Sequence, residues 1–518
     1  MTHPDRADVL IVGGGIMGAI VARLLREGDP TVRIVMLDAG EPIGPVAGMH
    51  LHDIEDPEIW ERYNTRVASG VQGMYTGAEV VREVPESIAM AEPGMFHALA
   101  FGEDAEAMPA AALAWNAGGM GVHWTAACPW PWGEEVFDRS DEAQWHADLQ
   151  TARRVLDVRS TAIGPTAVGE RVLEVLERRY GAVAAEGRHP QPMPMAVRPA
   201  GALLRRTSPA TIFPPIASGG DSAFEYLPGV LVTALVHEDG HVAGARVRMP
   251  DGAERMLAAD RVVVCGDTMR TPQLLFASGI RPEALGRYLN EHAFITSQVI
   301  VDLDRFGLTA RDLPLTREGE FCTDSLWLPQ NGPDQPFHGQ IMNRTFIDED
   351  GRPLGHAVGV SLYTPVDSRP ENRLVFDPTE TDLAGMPRIR VEFSYSDADR
   401  ARIDRAMDEI ASLAEEFGEF HPETERALLV PGSSLHQTGT VRSGTADDGT
   451  SVCDPTGRVW SFDNLYLAGN GVVPTPVVAN ATLTGAVTAV RAARALLAAG
   501  IPVPAAASDN EKGTSCPC

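Results

Sequence analysis

The apolar and polar positions of the first forty residues specify three elements in succession. Ala7-Asp8-Val9-Leu10-Ile11-Val12 is an almost unbroken apolar run, the mark of a strand covered on both faces. Gly13-Gly14-Gly15-Ile16-Met17-Gly18 follows, then apolar residues at helical spacing: Ala19, Ile20, Ala22, Leu24 and Leu25. A second apolar run, Arg33-Ile34-Val35-Met36-Leu37, ends at Asp38. Strand, glycine turn, helix and strand together predict a βαβ unit. Gly13-x-Gly15-x-x-Gly18 sits where such a unit binds a dinucleotide. There the pyrophosphate lies on a helix N-terminus, whose free N–H groups and dipole favour anions. Asp38 stands 20 residues past Gly18, the spacing of a carboxylate that holds a ribose hydroxyl.

The same rhythm returns twice. Gly229 to Val236 and His241 to Val247 flank Glu238-Asp239-Gly240 and read as a hairpin. Arg261-Val262-Val263-Val264-Cys265 is a buried strand running into Gly266. A helix follows, with Pro272 near its start and Gly279 as its stop. Near the C-terminus, Asn464 to Gly471 is again strand then glycine turn, and a helix is predicted from Leu483 to Ala499. Residues 295–425 carry a different pattern. Ala357 to Tyr363 and Arg388 to Phe393 alternate, predicting a half-exposed antiparallel sheet, and Ser396 to Phe417 reads as an acidic helix. Thr316 to Gln340, rich in polar residues, Gly and Pro, reads as a long loop.

These patterns divide the chain. Segments 1–45, 100–135, 195–292 and 430–505 are expected to form one discontinuous dinucleotide-binding domain. Segments 46–99, 136–194 and 293–429 are expected to form a substrate domain with its loops, and 506–518 a disordered tail. The 518 residues are ample for a large core, and 44% hydrophobic content is that of a globular protein. A formal net charge of −28 argues against nucleic acid or an anionic membrane as partner, and favours an uncharged substrate. Repulsion between copies suggests a monomer or weak dimer. The first strand leaves no room for a signal peptide, and no apolar run is long enough to span a bilayer. Six scattered cysteines form no metal-ligand cluster, so no metal is expected and a cytoplasmic, thiol-reduced protein is.

Two histidine segments carry candidate chemistry. In Gly118-Gly119-Met120-Gly121-Val122-His123-Trp124-Thr125, a glycine-rich turn would let backbone approach a flat ligand, with His and Thr beside it. A buried structural turn is the plain alternative. In Leu435-His436-Gln437-Thr438-Gly439-Thr440, His436 taken alone reads as structural. Asn480, just before the last helix, changes that. A His and an Asn converging on a flavin suit alcohol oxidation, with the imidazole as base for the hydroxyl proton. An unperturbed imidazole predicts a rate that rises near neutral pH.

These motifs, in this order along almost the whole chain, resemble the glucose–methanol–choline (GMC) flavin oxidoreductases. Gly266-Asp267-Thr268-Met269-Arg270-Thr271-Pro272-Gln273 and Gly286-Arg287-Tyr288-Leu289-Asn290-Glu291-His292 belong to the resemblance. The segment around His123 and Ala479-Asn480-Ala481-Thr482-Leu483-Thr484 are most similar to the pyranose oxidase branch and its bacterial glycoside 3-oxidases. The resemblance implies an α/β fold: a Rossmann-like FAD-binding domain with an inserted α+β substrate domain on an antiparallel sheet. It implies His436 as catalytic base and Asn480 as its partner. It places FAD against Gly13, Gly15, Gly18, Asp38, Gly119, Met120, His123, Trp124, Thr125, Val236, Gly469, Asn470, Asn480 and Thr482. Thr125 would face flavin N5, Val236 would meet the adenine, and Gln340 would join His436 and Asn480 in holding substrate. His123 falls where fungal pyranose oxidases link their flavin. Gly121-Val122 stands where those enzymes have Ser-Thr, and a non-covalent flavin is expected.

The activity implied is oxidation of a secondary hydroxyl, C3 or C2, of a sugar or glycoside, with reoxidation by O2 or a quinone-type acceptor. A quinone-dependent sugar dehydrogenase and a sterol-type alcohol oxidase are the alternatives within this class. For the latter, Trp124, Trp130, Trp132 and Trp327 could line an apolar cavity, or equally stack on sugar rings. A non-catalytic flavin protein is disfavoured by the His436–Asn480 pair. An NAD-dependent dehydrogenase fits the N-terminus but not the C-terminal return to the cofactor.

Overall fold

A computed structural model describes residues 6–59, 92–138, 140–201, 203–317, 320–421 and 425–500. The tail 506–518 lies outside the described residues. The first sheet is ordered Phe224–Leu227, Ile34–Leu37, Arg6–Val12, Glu254–Val264, His241–Arg248, Leu231–Glu238. Its first four strands are parallel, with Val9 in register with Ile34 on one side and Arg261 on the other. The hairpin 231–248 pairs antiparallel to residues 254–258, and Leu465–Leu467 pairs parallel to the other end of that strand.

Both faces of Arg6–Val12 are covered, which explains its lack of alternation. Val9 and Ile11 pack with Ala19, Ile20, Leu25, Ala486, Val490 and Ala493 of helices Ile16–Gly28 and Thr482–Ala498. Ala7 and Leu10 pack on the other side with the hairpin and with Leu274 and Leu275 of helix Arg270–Ala277. The last helix buries Arg491, whose guanidinium meets Asp148 at 3.0 Å. Asp148 lies on helix Glu142–Leu156 and also pairs with Arg494. That helix thus docks on the nucleotide-binding half, whereas the sequence pattern places its segment in the substrate domain. Strand Gly94–His97 likewise pairs with Ala112–Trp115 across the expected boundary at 99/100.

The second sheet is ordered Gly418–Phe420, Ala293–Val301, Pro353–Thr364, His338–Ile347, Asp324–Leu328, Gln191–Pro192, all antiparallel. Helix Asp397–Phe417 lays Ile403, Ala406, Ile410 and Leu413 on one face, against Ile295, Val299, Val358, Val360 and Leu362. Ser396 caps it by accepting from Asp399 N. The sheet is not half-exposed, as alternation alone suggested. Its other face, bearing Trp327, His338, Gln340 and Tyr363, is buried against the nucleotide-binding half. Thr316 to Gln340 is not one loop either, since it contains strand Asp324–Leu328 and the start of His338–Ile347. Among the described residues, no helix is long and apolar enough to cross a membrane.

Candidate active site

A cavity opens at the C-terminal ends of the parallel strands. Gly13 to Met17, Asp38, Gly119 to Gly121, Val230 to Val232, Gly266 to Arg270, Gly469, Asn470 and Thr482 are among its lining residues. Both long helices of this half start there, at Ile16 and Thr482, so two positive dipole ends face the cavity. The glycines differ in what they permit. A Cβ on Gly13, where φ is +106°, would stand 2.5 Å from Cys265 O. One on Gly18 would stand 2.0 Å from Gly13 O. A Cβ on Gly15 would meet only Gly118 O, at 3.7 Å, so the backbone there is bare towards the cavity.

Asp38 Oδ2 accepts from Gly118 N at 2.9 Å and from the Tyr226 hydroxyl at 3.2 Å. Its other oxygen has a long contact with Gly40 N, at 3.4 Å, and the Gly14 backbone also acts on the carboxylate. Burial pushes this carboxyl up to about 6, against hydrogen bonds that pull it down. Asn470 adds a buried Oδ1 without a hydrogen-bond partner. Bare glycine backbone, two helix N-termini, a carboxylate with spare capacity and an unsatisfied amide oxygen fit a dinucleotide such as FAD.

Several predicted cofactor residues stand elsewhere. Val236 does not line the cavity. It lies four residues past Val232 on strand Leu231–Glu238, about 13 Å further along at the rise of a strand. Gly18 lies behind the lining, at the helix–strand contact. His123, Trp124 and Thr125 follow the turn that lines it. His123 Nε2 donates to Asn116 Oδ1 at 2.7 Å. Trp124 Nε1 donates to Thr207 O at 2.7 Å. The other tryptophans also serve the core. Trp130 meets Trp327 edge to face, with ring centroids 4.9 Å apart, and Arg188 lies over Trp132 and Trp327.

His436 and Asn480 are not among the lining residues, but their chain neighbours Leu435, Gln437 and Thr482 are. Asn480 Nδ2 lies 3.3 Å from His436 Nε2. His436 Nδ1 lies 3.1 Å from His292 Nε2, and His292 Nδ1 lies 3.2 Å from Val477 O. These contacts have one consistent polarity. A carbonyl can only accept, so the His292 proton is on Nδ1. Burial holds both imidazoles neutral, His292 well below its usual value and His436 down at about 4. His292 Nε2 therefore accepts from His436 Nδ1–H, which leaves the His436 lone pair on Nε2, facing Asn480 N–H. The expected ionisation near neutrality is corrected by this burial to a more acidic one.

Other residues position the pair. Buried Glu291 accepts from Gly432 N, from the Ser434 hydroxyl at 2.6 Å and from Gln437 Nε2 at 3.0 Å, fixing the His436 loop. Glu135 Oε1 accepts from Val478 N at 2.8 Å and Ala479 N at 3.2 Å, fixing the approach to Asn480. Gln340 is buried on the facing strand. Its Oε1 accepts from the Tyr363 hydroxyl at 3.2 Å, and its Nε2 has a contact of 3.8 Å to Met342 Sδ.

A dinucleotide cradle leading to a neutral imidazole–amide pair defines a flavin-dependent oxidoreductase. Residues 368–489 match the C-terminal domain of the GMC oxidoreductases. Over 95% of its length the chain is 38% identical to the C-glycoside 3-oxidase of Arthrobacter globiformis, of which 95% is covered. It is 28% identical to the pyranose 2-oxidase of Tricholoma matsutake, over 95% of this chain and 93% of that one. The fold matches pyridoxine 4-oxidase from Mesorbium loti with a TM-score of 0.63 and 16% identity, over 94% and 99% of the two chains. The chain belongs to the GMC oxidoreductase family, whose cofactor is FAD.

Proposed function

We propose that the chain oxidises a secondary ring hydroxyl of a glycoside to the ketone, at C3 of a C-glycoside in the first instance. The observation that carries this reading is the fixed polarity of His436 and Asn480. A lone pair on His436 Nε2 beside an Asn480 N–H is complementary to a hydroxyl, which gives its proton to one and accepts from the other. Substrate and regiochemistry come from the similarity to a C-glycoside 3-oxidase at 38% identity. The pyranose 2-oxidase relatives support free pyranose, oxidised at C2, as the second reading.

Gly13 to Gly15, Asp38, Gly119 to Gly121, Asn470 and Thr482 would hold FAD, with Asp38 towards the ribose. FAD bound there would supply the hydride acceptor for the carbinol carbon. The residues of the chain handle the proton. His436 Nε2 takes it from the hydroxyl, and His292, held by Val477 O, keeps that nitrogen unprotonated beforehand. Asn480 donates to the same oxygen as it gains charge. Gln340 Nε2 is a further donor for a neighbouring hydroxyl. The His123–Asn116 hydrogen bond supports a flavin held without a covalent bond. Acid precipitation tests this, with yellow supernatant as the expected result and flavin in the pellet as the contrary one.

Reoxidation by O2 or a quinone-type acceptor, a monomer or weak dimer, and a reducing cytoplasm complete the proposal. The compartment is argued from the four described free cysteines, all buried. The deciding experiment is an anaerobic screen of free sugars, O-glycosides and aryl C-glycosides for bleaching of the bound flavin, with product regiochemistry by NMR. Bleaching by none of them would sink the reading.

A further inference from the structure

We infer that Trp327 and His338 form a second arm that fixes the amide of Asn480, making His338 a positioning residue for proton removal. This rests on the proposed roles of His436 and Asn480.

The inference begins at an indole. Trp327 is fully buried and its Nε1–H, which can only donate, points to His338 Nδ1 at 3.0 Å. His338 Nδ1 is therefore the lone-pair nitrogen. His338 is also fully buried and neutral, its ionisation pushed far to the acid side by burial, so its one proton is on Nε2. That N–H has no hydrogen-bond partner of ordinary geometry. Asn480 Oδ1 is a second buried atom without one. Besides Trp327, the Asn480 side chain acts on His338 through hydrogen bonding. A buried donor and a buried acceptor left over are each costly alone and would be satisfied by one another.

The consequence reaches the base. With Oδ1 towards His338 N–H, the Asn480 NH2 group faces the lone pair of His436 Nε2. The reversed amide would set an oxygen against that lone pair and an N–H against the N–H of His338. One orientation satisfies both neighbours. Polarity then runs in a single direction from Trp327 through His338, Asn480, His436 and His292 to Val477 O. It is pinned at one end by a group that only donates and at the other by one that only accepts. Ring packing supports the arm, since His338 stacks on Tyr363 (5.3 Å, 22°) and Tyr363 lies tilted against His292 (4.4 Å, 37°).

The test uses FAD-loaded enzyme carrying His338→Leu, His338→Gln or Trp327→Phe. Gln can present an N–H where His338 has Nε2, and Leu cannot. With D-glucose and an aryl C-glucoside as probes, His338→Leu should lower the limiting rate of anaerobic flavin reduction roughly 10-fold, with KM and flavin content unchanged. His338→Gln should restore most of that loss, and Trp327→Phe should fall between. NMR of the wild-type holoenzyme with isotope-labelled histidine should show the His338 proton on Nε2. Wild-type rates in both His338 variants would overturn the inference. So would a loss confined to KM, which marks a direct substrate contact, or a proton found on Nδ1. If neither probe bleaches the wild-type flavin, the proposed function fails, while the NMR result still decides the His338 tautomer.

Discussion

In the nucleotide cradle, Gly13, Gly15, Gly18 and Asp38 come from a single βαβ unit, and the groups that meet the cavity are mostly backbone. At the other end, His292, His338, His436 and Asn480 come from four separate segments and act through side chains, anchored on the Val477 carbonyl. Burial acts on both ends with opposite signs. It raises the Asp38 carboxyl to about 6 and lowers the His436 imidazole to about 4. On the proposed reading, the cradle would bind with an acid that ionises only above mildly acidic pH, and the other end would use a base already free of its proton there. Binding and chemistry are thus separable, and each prediction below asks for an effect on one end without the other.

The largest effect is expected from His436→Ala. A positioned base is typically worth about 10²–10⁴-fold, so anaerobic flavin reduction should slow by that factor while FAD stays bound. Asn480→Ala should cost less, about 10-fold for one lost hydrogen bond. A wild-type reduction rate in His436→Ala by stopped-flow would remove His436 from the role of base.

At the other end, Asp38→Asn keeps the shape and removes the charge. Hydrogen bonds to charged groups are worth about 1.5–3 kcal/mol, so FAD affinity should fall roughly 10- to 100-fold. The variant saturated with FAD should turn over as the wild type does. Flavin titration by fluorescence measures the first quantity and saturated turnover the second. Unchanged affinity would count against Asp38 as the ribose contact.

The glycines sharpen the comparison within the cradle itself. Gly18→Ala puts a Cβ 2.0 Å from Gly13 O, so helix and strand must separate. Overpacking of this kind costs about 1–3 kcal/mol, and the melting temperature should fall even without FAD. Gly15→Ala meets only Gly118 O at 3.7 Å. It should leave that melting temperature unchanged and weaken FAD alone. Equal losses in the two variants would mean that Gly15 packs against protein and not against ligand.

The same contrast explains what could be read from the chain. The cradle was legible because its glycines, apolar runs and acid are close neighbours whose spacing is set by local geometry. The helix Asp397–Phe417 was legible from its periodicity and the Ser396 cap. The strand Asp324–Leu328 was not. It is short, stands within a polar stretch and is held by partners on both sides in the sheet. Its buried Asp324 looks like a loop residue until the four groups donating to it, from Thr166, Thr323 and Asn343, are seen. His292 lay inside a quoted motif, yet nothing local says that its ring meets His436. His338 had a usable signal. A period of two places it on the same face as Gln340, which the resemblance names. Glu135 and Tyr226 left no signal, because their partners are remote in the chain or are backbone groups.

The smallest expected effect is a flat response to pH where an ordinary histidine would titrate. The sign can be worked out for each end. His436 has its folded value lowered from 6.5 to about 4, so its contribution to stability is fully present above 6.5 and is lost as pH falls through about 4. Asp38 has its folded value raised from 3.8 to about 6, so its contribution is present below 3.8 and is lost as pH rises through about 6. Across pH 6 to 8 the imidazole is neutral throughout, and the limiting rate of flavin reduction should change by less than about twofold. The acid limb should appear near pH 4. His292→Leu should leave FAD affinity alone but remove the acceptor that holds the His436 proton on Nδ1, lowering the plateau. A wild-type limb centred near 6.5 in stopped-flow reduction would show that His436 meets water in the loaded enzyme and that burial does not govern the base.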